Sequence, residues 1–171
     1  MQAPTKTLIS VEQYLSECYE PDCDYVDGHL EERNLGERDH SWLQTLVAGY
    51  FLVRRKKWGV TPIVEQRVQV KRTRYRIPDV CVVLGFPDEQ ILTKFPFICF
   101  EILSPEDRMS RVQKRAMEYL EMGVKYVWIL DPKTNQAYSL TVADGLLEVT
   151  TGVLRTENPA FEIPLAEIFE Q

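Results

Sequence analysis

Asp79 and Glu101 are the residues most at odds with their surroundings. Each is a lone carboxylate in a run that otherwise reads as a buried β-strand, IPDVCVVL over 77–84 and FPFICFEIL over 95–103. A carboxylate between Phe100 and Ile102 is costly to bury without a partner. Strand alternation puts Asp79 on one face with Cys81 and Val83, and Glu101 on one face with Cys99 and Leu103. If the two strands are neighbours in register, both acids emerge together near one edge of a sheet. Adjacent carboxylates raise each other's pKa unless a proton or a cation intervenes. A divalent metal bound through oxygen is the guest such a pair suits. The structural alternatives are a turn role for Asp79 after Pro78 and a salt bridge from Glu101 to Arg115 or Arg108.

The elements that must position these acids can be read from periodicity. Ser10 followed by Gln13 resembles a capping box and opens a short helix to about Ser16, and Asp27-Gly28 marks a hairpin. From Asp39 or His40 to about Lys57, Trp42, Leu46, Val47, Tyr50, Phe51 and Val53 recur at helical spacing, with Gly59 as the stop. A half-buried strand is predicted over 62–70, turning at 74–76 into 78–84, and another strand over 97–103. A second helix is predicted over 107–122, capped by Ser104 and stopped by Gly123. Strands over 124–130, 137–142 and 146–150 follow, and Pro164 starts a short last helix. Strand 97–103, helix and strand 124–130 form a crossover, so those strands are expected to be parallel. The order predicts a mixed α/β (α+β) sheet flanked by helices, in one domain spanning 1–171.

Composition narrows the class. The chain has 171 residues, 44% hydrophobic and 27% charged, which suits an ordinary globular core. MQAPTKTLIS lacks the apolar run of a signal peptide and no segment is long and apolar enough to span a bilayer, so a cytoplasmic protein with no membrane partner is expected. Cys18, Cys23, Cys81 and Cys99 show no zinc spacing and read as reduced thiols. The net charge of −6 argues against coating nucleic acid by bulk electrostatics. Positive charge is nevertheless bunched in Arg54-Arg55-Lys56-Lys57 and in Lys71-Arg72-Thr73-Arg74-Tyr75-Arg76. The first cluster suits a helix C-terminus. In the second, Lys71, Arg72, Arg74 and Arg76 precede Asp79 closely and are candidates for contacting DNA phosphates.

Pro78-Asp79, Glu101-Ile102-Leu103-Ser104-Pro105, the helix carrying Lys114-Arg115 and Tyr119, then Gly123-Val124 and Trp128-Ile129-Leu130-Asp131-Pro132, occur in an order that resembles the widespread bacterial Uma-two family of restriction-endonuclease-like proteins, in the PD-(D/E)xK nuclease superfamily. Tyr14-Leu15, Tyr25-Val26-Asp27-Gly28, His40 and Leu165-Ala166-Glu167-Ile168-Phe169 extend the resemblance over nearly the whole chain. It implies a restriction-endonuclease-like fold with an αβββαβ core, and a metal-dependent endonuclease hydrolysing DNA. Asp79 and Glu101, with the main-chain carbonyl of Ile102, would hold Mg²⁺ or Mn²⁺. The superfamily's usual lysine, two residues after the second acid, is here Leu103. The resemblance moves the basic group to the following helix, where Arg115 flanks the apolar face and Lys114 points away from it. His40 caps the first long helix or approaches the site from outside.

A different class of function also fits the departure at Leu103: a nuclease fold that no longer cuts and serves as a binding or assembly module. Retention of both acids opposes it. Trp58, Phe86, Phe95 and Phe97 offer aromatic surface from which a homodimer is expected.

Overall fold

The computed structural model describes residues 8–34 and 36–169. Residues 1–7, part of the stretch expected to carry no signal, lie outside the described residues. Among the described residues no helix is long and apolar enough to cross a membrane.

Six strands form the main sheet: β3 (Val60–Val64), β6 (Val80–Leu84), β7 (Ile98–Ile102), β8 (Tyr126–Asp131), β9 (Gln136–Thr141) and β10 (Gly145–Glu148), in the spatial order β10-β9-β8-β7-β6-β3. β7 and β8 are parallel, joined by helix α3 (Met109–Met122), as the crossover requires; the other neighbours are antiparallel. Helix α2 (Arg38–Trp58) lies against the opposite face. Its Asp39 in the first turn and Arg55, Lys56 and Lys57 in the last complement the helix dipole, and Gly59, at φ 66°, ends it in the left-handed conformation. The series α2, β3, β6, β7, α3, β8 is the expected αβββαβ core.

Alternation assigns the strand residues to two cores. Val80, Val82, Ile98, Phe100, Ile102, Trp128 and Leu130 pack with Leu43, Val47, Tyr50 and Phe51 of α2. Cys81, Val83, Cys99, Val127 and Ile129 pack with Val112, Ala116 and Tyr119 of α3. With both faces covered, every residue of β7 is buried, and each large apolar side chain removed from water contributes roughly 1.5–3 kcal/mol. The four cysteines are free, and Cys81 and Cys99 are fully buried within the second core.

A second sheet, in the order β2-β1-β5-β4, contains β1 (Cys23–Val26), β2 (His29–Glu32), β4 (Val68–Lys71) and β5 (Arg74–Arg76). It was not expected, for a local reason. The segment predicted as one strand over 62–70 breaks at Glu65, whose φ is +50°, so β3 stays in the main sheet while β4 leaves it. Residues 74–76 are consequently a strand rather than a turn into β6. Helix α1 (Val11–Ser16), capped by Ser10 Oγ accepting from the Gln13 amide, closes this sheet with Tyr14, which packs with Tyr25 and Tyr75. Two further strands, β11 (Val153–Arg155) and β12 (Glu162–Pro164), pair ahead of α4 (Leu165–Ile168) and carry no clear alternation in sequence. α3 starts at Met109 after Arg108, so Ser104 is not its cap; the Ser104 amide instead donates to Asp107 Oδ2 at 2.8 Å.

Arg76 joins the two sheets' layers. Its side chain is 1% exposed and bonds Glu118 of α3 at 2.7 Å, Asp24 of β1 at 3.0 Å and Glu31 of β2 at 2.6 Å. The Ile77 amide also donates to Asp24, at 3.0 Å. Arg76 is therefore a buried structural ion, which corrects its expected place among the DNA-contacting residues. Removing one partner from a buried ion cluster leaves the others uncompensated. Arg76→Ala is expected to lower the unfolding free energy by about 3–5 kcal/mol in urea titrations; a loss under about 1 kcal/mol, typical of an exposed pair, would contradict the assignment.

Candidate active site

The register of β6 and β7 fixes the geometry of the two acids. Val80 pairs with Phe100 and Cys81 with Cys99, so the register extended by one residue sets Asp79 opposite Glu101. The Ile102 amide donates to Asp79 Oδ2, whereas the Leu103 amide donates to Leu130 of β8. Even-numbered residues of β7 thus turn their backbone groups towards β6. The odd pairs, Cys81 with Cys99 and Asp79 with Glu101, are the non-hydrogen-bonded kind, in which Cα atoms approach to about 4.5 Å and side chains lie closest. Both acids are on the α3 side, where the second strand has run out and the helix begins.

Each acid has its own cationic partner. Asp79 Oδ1 receives Arg33 Nη2 at 2.6 Å and lies 3.5 Å from His40 Nε2; its Oδ2 accepts from the Ile102 amide at 2.6 Å. Glu101 Oε2 accepts from Arg115 Nη2 at 2.8 Å and Oε1 from the Tyr119 hydroxyl at 2.7 Å. The Asp79 and Glu101 side chains are 4% and 1% exposed. Burial pushes both carboxyls up, but the outcomes diverge. At Asp79, His40 and the Arg33 charge outweigh desolvation and hold the pKa below the ordinary carboxylate value. At Glu101, desolvation dominates, with the Asp79 charge adding to it, and the pKa is raised despite Arg115. Environments that push neighbouring carboxyls apart are a mark of acid–base sites.

Arg33, Asn34, His40, Asp79, Ile102, Ser104, Asp107 and Arg115 line a cavity of about 20 Å³, enough for one water or ion. Beside it an open hollow of about 200 Å³, edged by Asp22, Gly36, Ser41, Gln44 and Glu65, leads to Asp79. Larger hollows of about 380 Å³ near Trp42 and Phe169 and about 400 Å³ near Phe86 and Phe95 contain neither acid. Among the described residues no group of three or more His, Cys, Asp or Glu side chains gathers as a metal cluster. Two carboxylates and a main-chain carbonyl are a hard, incomplete oxygen set. That donor chemistry fits a cation that keeps several waters, such as Mg²⁺, better than a closed Zn²⁺ site. The Ile102 amide faces Asp79, and in an extended strand the carbonyl of the same residue turns to the same side.

The other sequence candidates divide clearly. Arg115 reaches Glu101, while Lys114 is exposed on the outer side of α3. Leu103 packs into the core beneath α3. Lys71 is exposed and paired with Glu121 at 2.6 Å, Arg72 is exposed, and Arg74 bonds Asp27 and Glu118. His40 is buried against Asp79, and its Nδ1 has no hydrogen-bond partner among the described residues. Trp58 stacks on Phe161 at 4.5 Å and Phe97 is 7% exposed, so only Phe86 and Phe95 of the four aromatics present open surface. Sequence reasoning missed Arg33: in Glu31-Glu32-Arg33-Asn34 it reads as an ordinary charged connection. It missed Glu118 for the same reason, since a glutamate on a helix is usually solvated.

Residues 11–166 match the family model Uma2, whose description is "Putative restriction endonuclease". No curated protein matches the chain. A solved crystal structure from Anabaena variabilis ATCC 29413, described as "a putative nuclease belonging to DUF820", aligns with a TM-score of 0.79 over 94% of this chain and 97% of that one, at 18% identity, a likeness of fold.

His40 yields a test of the site's electrostatics. Burial lowers its pKa, but the Asp79 carboxylate more than compensates, and the folded value lies above the ordinary 6.5. A raised value means that the contribution to stability is complete below the unfolded pKa and is lost as pH rises through the folded one. The stability advantage of the parent over His40→Ala is therefore expected to be greatest below pH 6.5 and to shrink above it. Urea unfolding of both proteins across this range measures it; a difference independent of pH would show that His40 titrates alike folded and unfolded, and an advantage that falls below pH 6.5 would show that His40 stays neutral in the folded protein.

Proposed function

Since the chain belongs to the Uma2 family, we propose that it is a divalent-metal-dependent endonuclease hydrolysing DNA phosphodiester bonds at the PD-(D/E)xK-type pair Asp79 and Glu101. The observation that carries this reading is the pairing of two buried carboxylates across β6 and β7 with the Arg115 guanidinium 2.8 Å from Glu101. Asp79, Glu101 and the Ile102 carbonyl would hold Mg²⁺ or Mn²⁺. Once bound, the cation would supply Lewis-acid polarisation of the phosphodiester and a nucleophile at neutral pH.

The remaining work falls to the chain's own groups. Arg115 comes from a rigid helix and stays charged throughout the physiological range, so it can neutralise charge gathering on the phosphate but cannot act as a base. The Ile102 amide and Tyr119 hydroxyl fix one oxygen of each acid, and His40 supports Asp79 from α2. Lys71, Arg72 and Arg74, at the exposed tip of the second sheet, would contact DNA phosphates flanking the cut. One domain over 1–171, acting in the cytoplasm, completes the proposal. A homodimer docking through Phe86 and Phe95, 82% and 56% exposed, would bring two cuts to a duplex.

A second reading, a non-cutting module of nuclease fold, is favoured by the ion pairs that occupy both acids and by Leu103. Cleavage and metal binding measured together separate the two. Asp79→Ala and Glu101→Ala are expected to abolish metal-dependent cleavage of duplex DNA and weaken Mn²⁺ binding, because each removes a hard oxygen donor. Arg115→Ala is expected to slow cleavage by roughly 100-fold or more, the scale for losing one preorganised charge, and Lys114→Ala to slow it less. A parent protein that binds Mn²⁺ and leaves DNA intact would establish the module instead.

A further inference from the structure

The second arginine of the cavity has no assigned role. Arg33 lies between β2 and α2, outside any helix or strand, and its Nη2 is 2.6 Å from Asp79 Oδ1. Its side chain is 15% exposed. No other side-chain hydrogen bond or ion pair of Arg33 occurs among the described residues. Arg115, by contrast, is held within α3 and meets the other acid. Both guanidiniums border the same small cavity, together with Asp79 and Ile102.

A divalent cation and a guanidinium on the same buried carboxylate oxygen repel each other and compete for it. The cation carries twice the charge and makes the shorter contact with the oxygen, so in that competition it is the guanidinium that yields. Asp79 Oδ1 is the oxygen at issue, because Oδ2 is already taken by the Ile102 amide. The open space next to Arg33 is the hollow of about 200 Å³ running past His40 and Gln44. That hollow is edged by the acids Asp22 and Glu65, so an anion enters it only when further positive charge is present.

We infer that Arg33 is a displaceable counter-ion: it neutralises Asp79 in the metal-free protein, is expelled when a divalent cation takes Oδ1, and then binds the phosphodiester in the adjoining hollow. The inference rests on the metal-site reading above. It assigns to Arg33 the substrate-side cation that Leu103 does not provide from β7. The planar fork of a guanidinium suits both duties, bonding first a carboxylate and then a phosphate through paired N–H groups. Coupling the two makes each ligand help the other: a cation frees the phosphate-binding group, and a phosphate stabilises the expelled arginine.

The test compares the parent with Arg33→Met, which keeps the bulk without the charge, and Arg33→Lys. Mn²⁺ affinity is read by calorimetry without DNA, and binding of a short duplex oligonucleotide by fluorescence anisotropy with Ca²⁺ present to occupy the carboxylates. Arg33→Met is expected to bind Mn²⁺ roughly 10-fold more tightly and duplex roughly 10-fold more weakly than the parent. Arg33→Lys is expected to fall between them in both, and supplies the comparison if the methionine variant does not fold. A purely structural arginine would not tighten metal binding when removed. If the parent binds Mn²⁺ and neither variant binds it more tightly, the inference is overturned while the metal site stands. If duplex affinity is unchanged, the phosphate-binding role is overturned. If the parent binds no divalent cation, the metal-site reading falls and takes the inference with it.

Discussion

Two carboxylates buried side by side at the end of a sheet impose a constraint that the surrounding architecture satisfies from four directions. Asp79 and Glu101 occupy a close cross-strand pair, and neither could stay ionised there alone. Arg33 arrives from the connection after β2, His40 from the first turn of α2, and Arg115 with Tyr119 from α3. The Ile102 amide is free to serve Asp79 because β6 begins only at Val80, leaving that position of the ladder without a backbone partner. The site is thus a meeting of elements far apart in sequence, and its charge balance is built into the topology.

The same logic recurs one layer away. Arg76 sits among Asp24, Glu31 and Glu118, so the second sheet is fastened to α3 by ions rather than by apolar contact alone. Glu118 and Arg115 lie three residues apart on α3, so the helix turn that closes the Arg76 cluster also sets Arg115 over Glu101. The Asp24 charge acts on Arg115 as well. Buried ion pairs of this type contribute little net stability over apolar packing, but breaking them is expensive. Their effect here is geometric: they hold the helix at one position relative to the strand ends.

How far the sequence disclosed this depended on the range of the interaction. Asp79 and Glu101 stood out because strand alternation is local and a carboxylate among Phe100, Ile102 and Val80 is anomalous at short range. The choice of Arg115 over Lys114 followed from helical phase, and the structure places Arg115 inward and Lys114 in solvent. Arg33 and Glu118 were invisible because each is an ordinary surface residue until a distant partner buries it. Arg76 misled for the converse reason: its neighbours Lys71, Arg72 and Arg74 belong to an exposed tip, but β5 turns Arg76 into the interior. The break at Glu65 needed a positive φ at a residue that does not favour it, and no residue type announces that.

Position 103 draws these points together. It lies two residues beyond Glu101, on the same face of the extended chain, and a cation there would have projected directly beside the acid pair. Leucine at this position packs instead with the apolar residues beneath α3. Leu103 closes the core under the site and places no cation there. Positive charge reaches the two acids from Arg115 and Arg33, on a helix and on a connecting segment. Both are guanidiniums, which hold their proton under all ordinary conditions, where a lysine amine can be tuned to give it up. The positive charge at the site thus comes from groups that keep their proton, and the groups there able to exchange one are the Glu101 carboxyl, whose pKa burial raises, and His40.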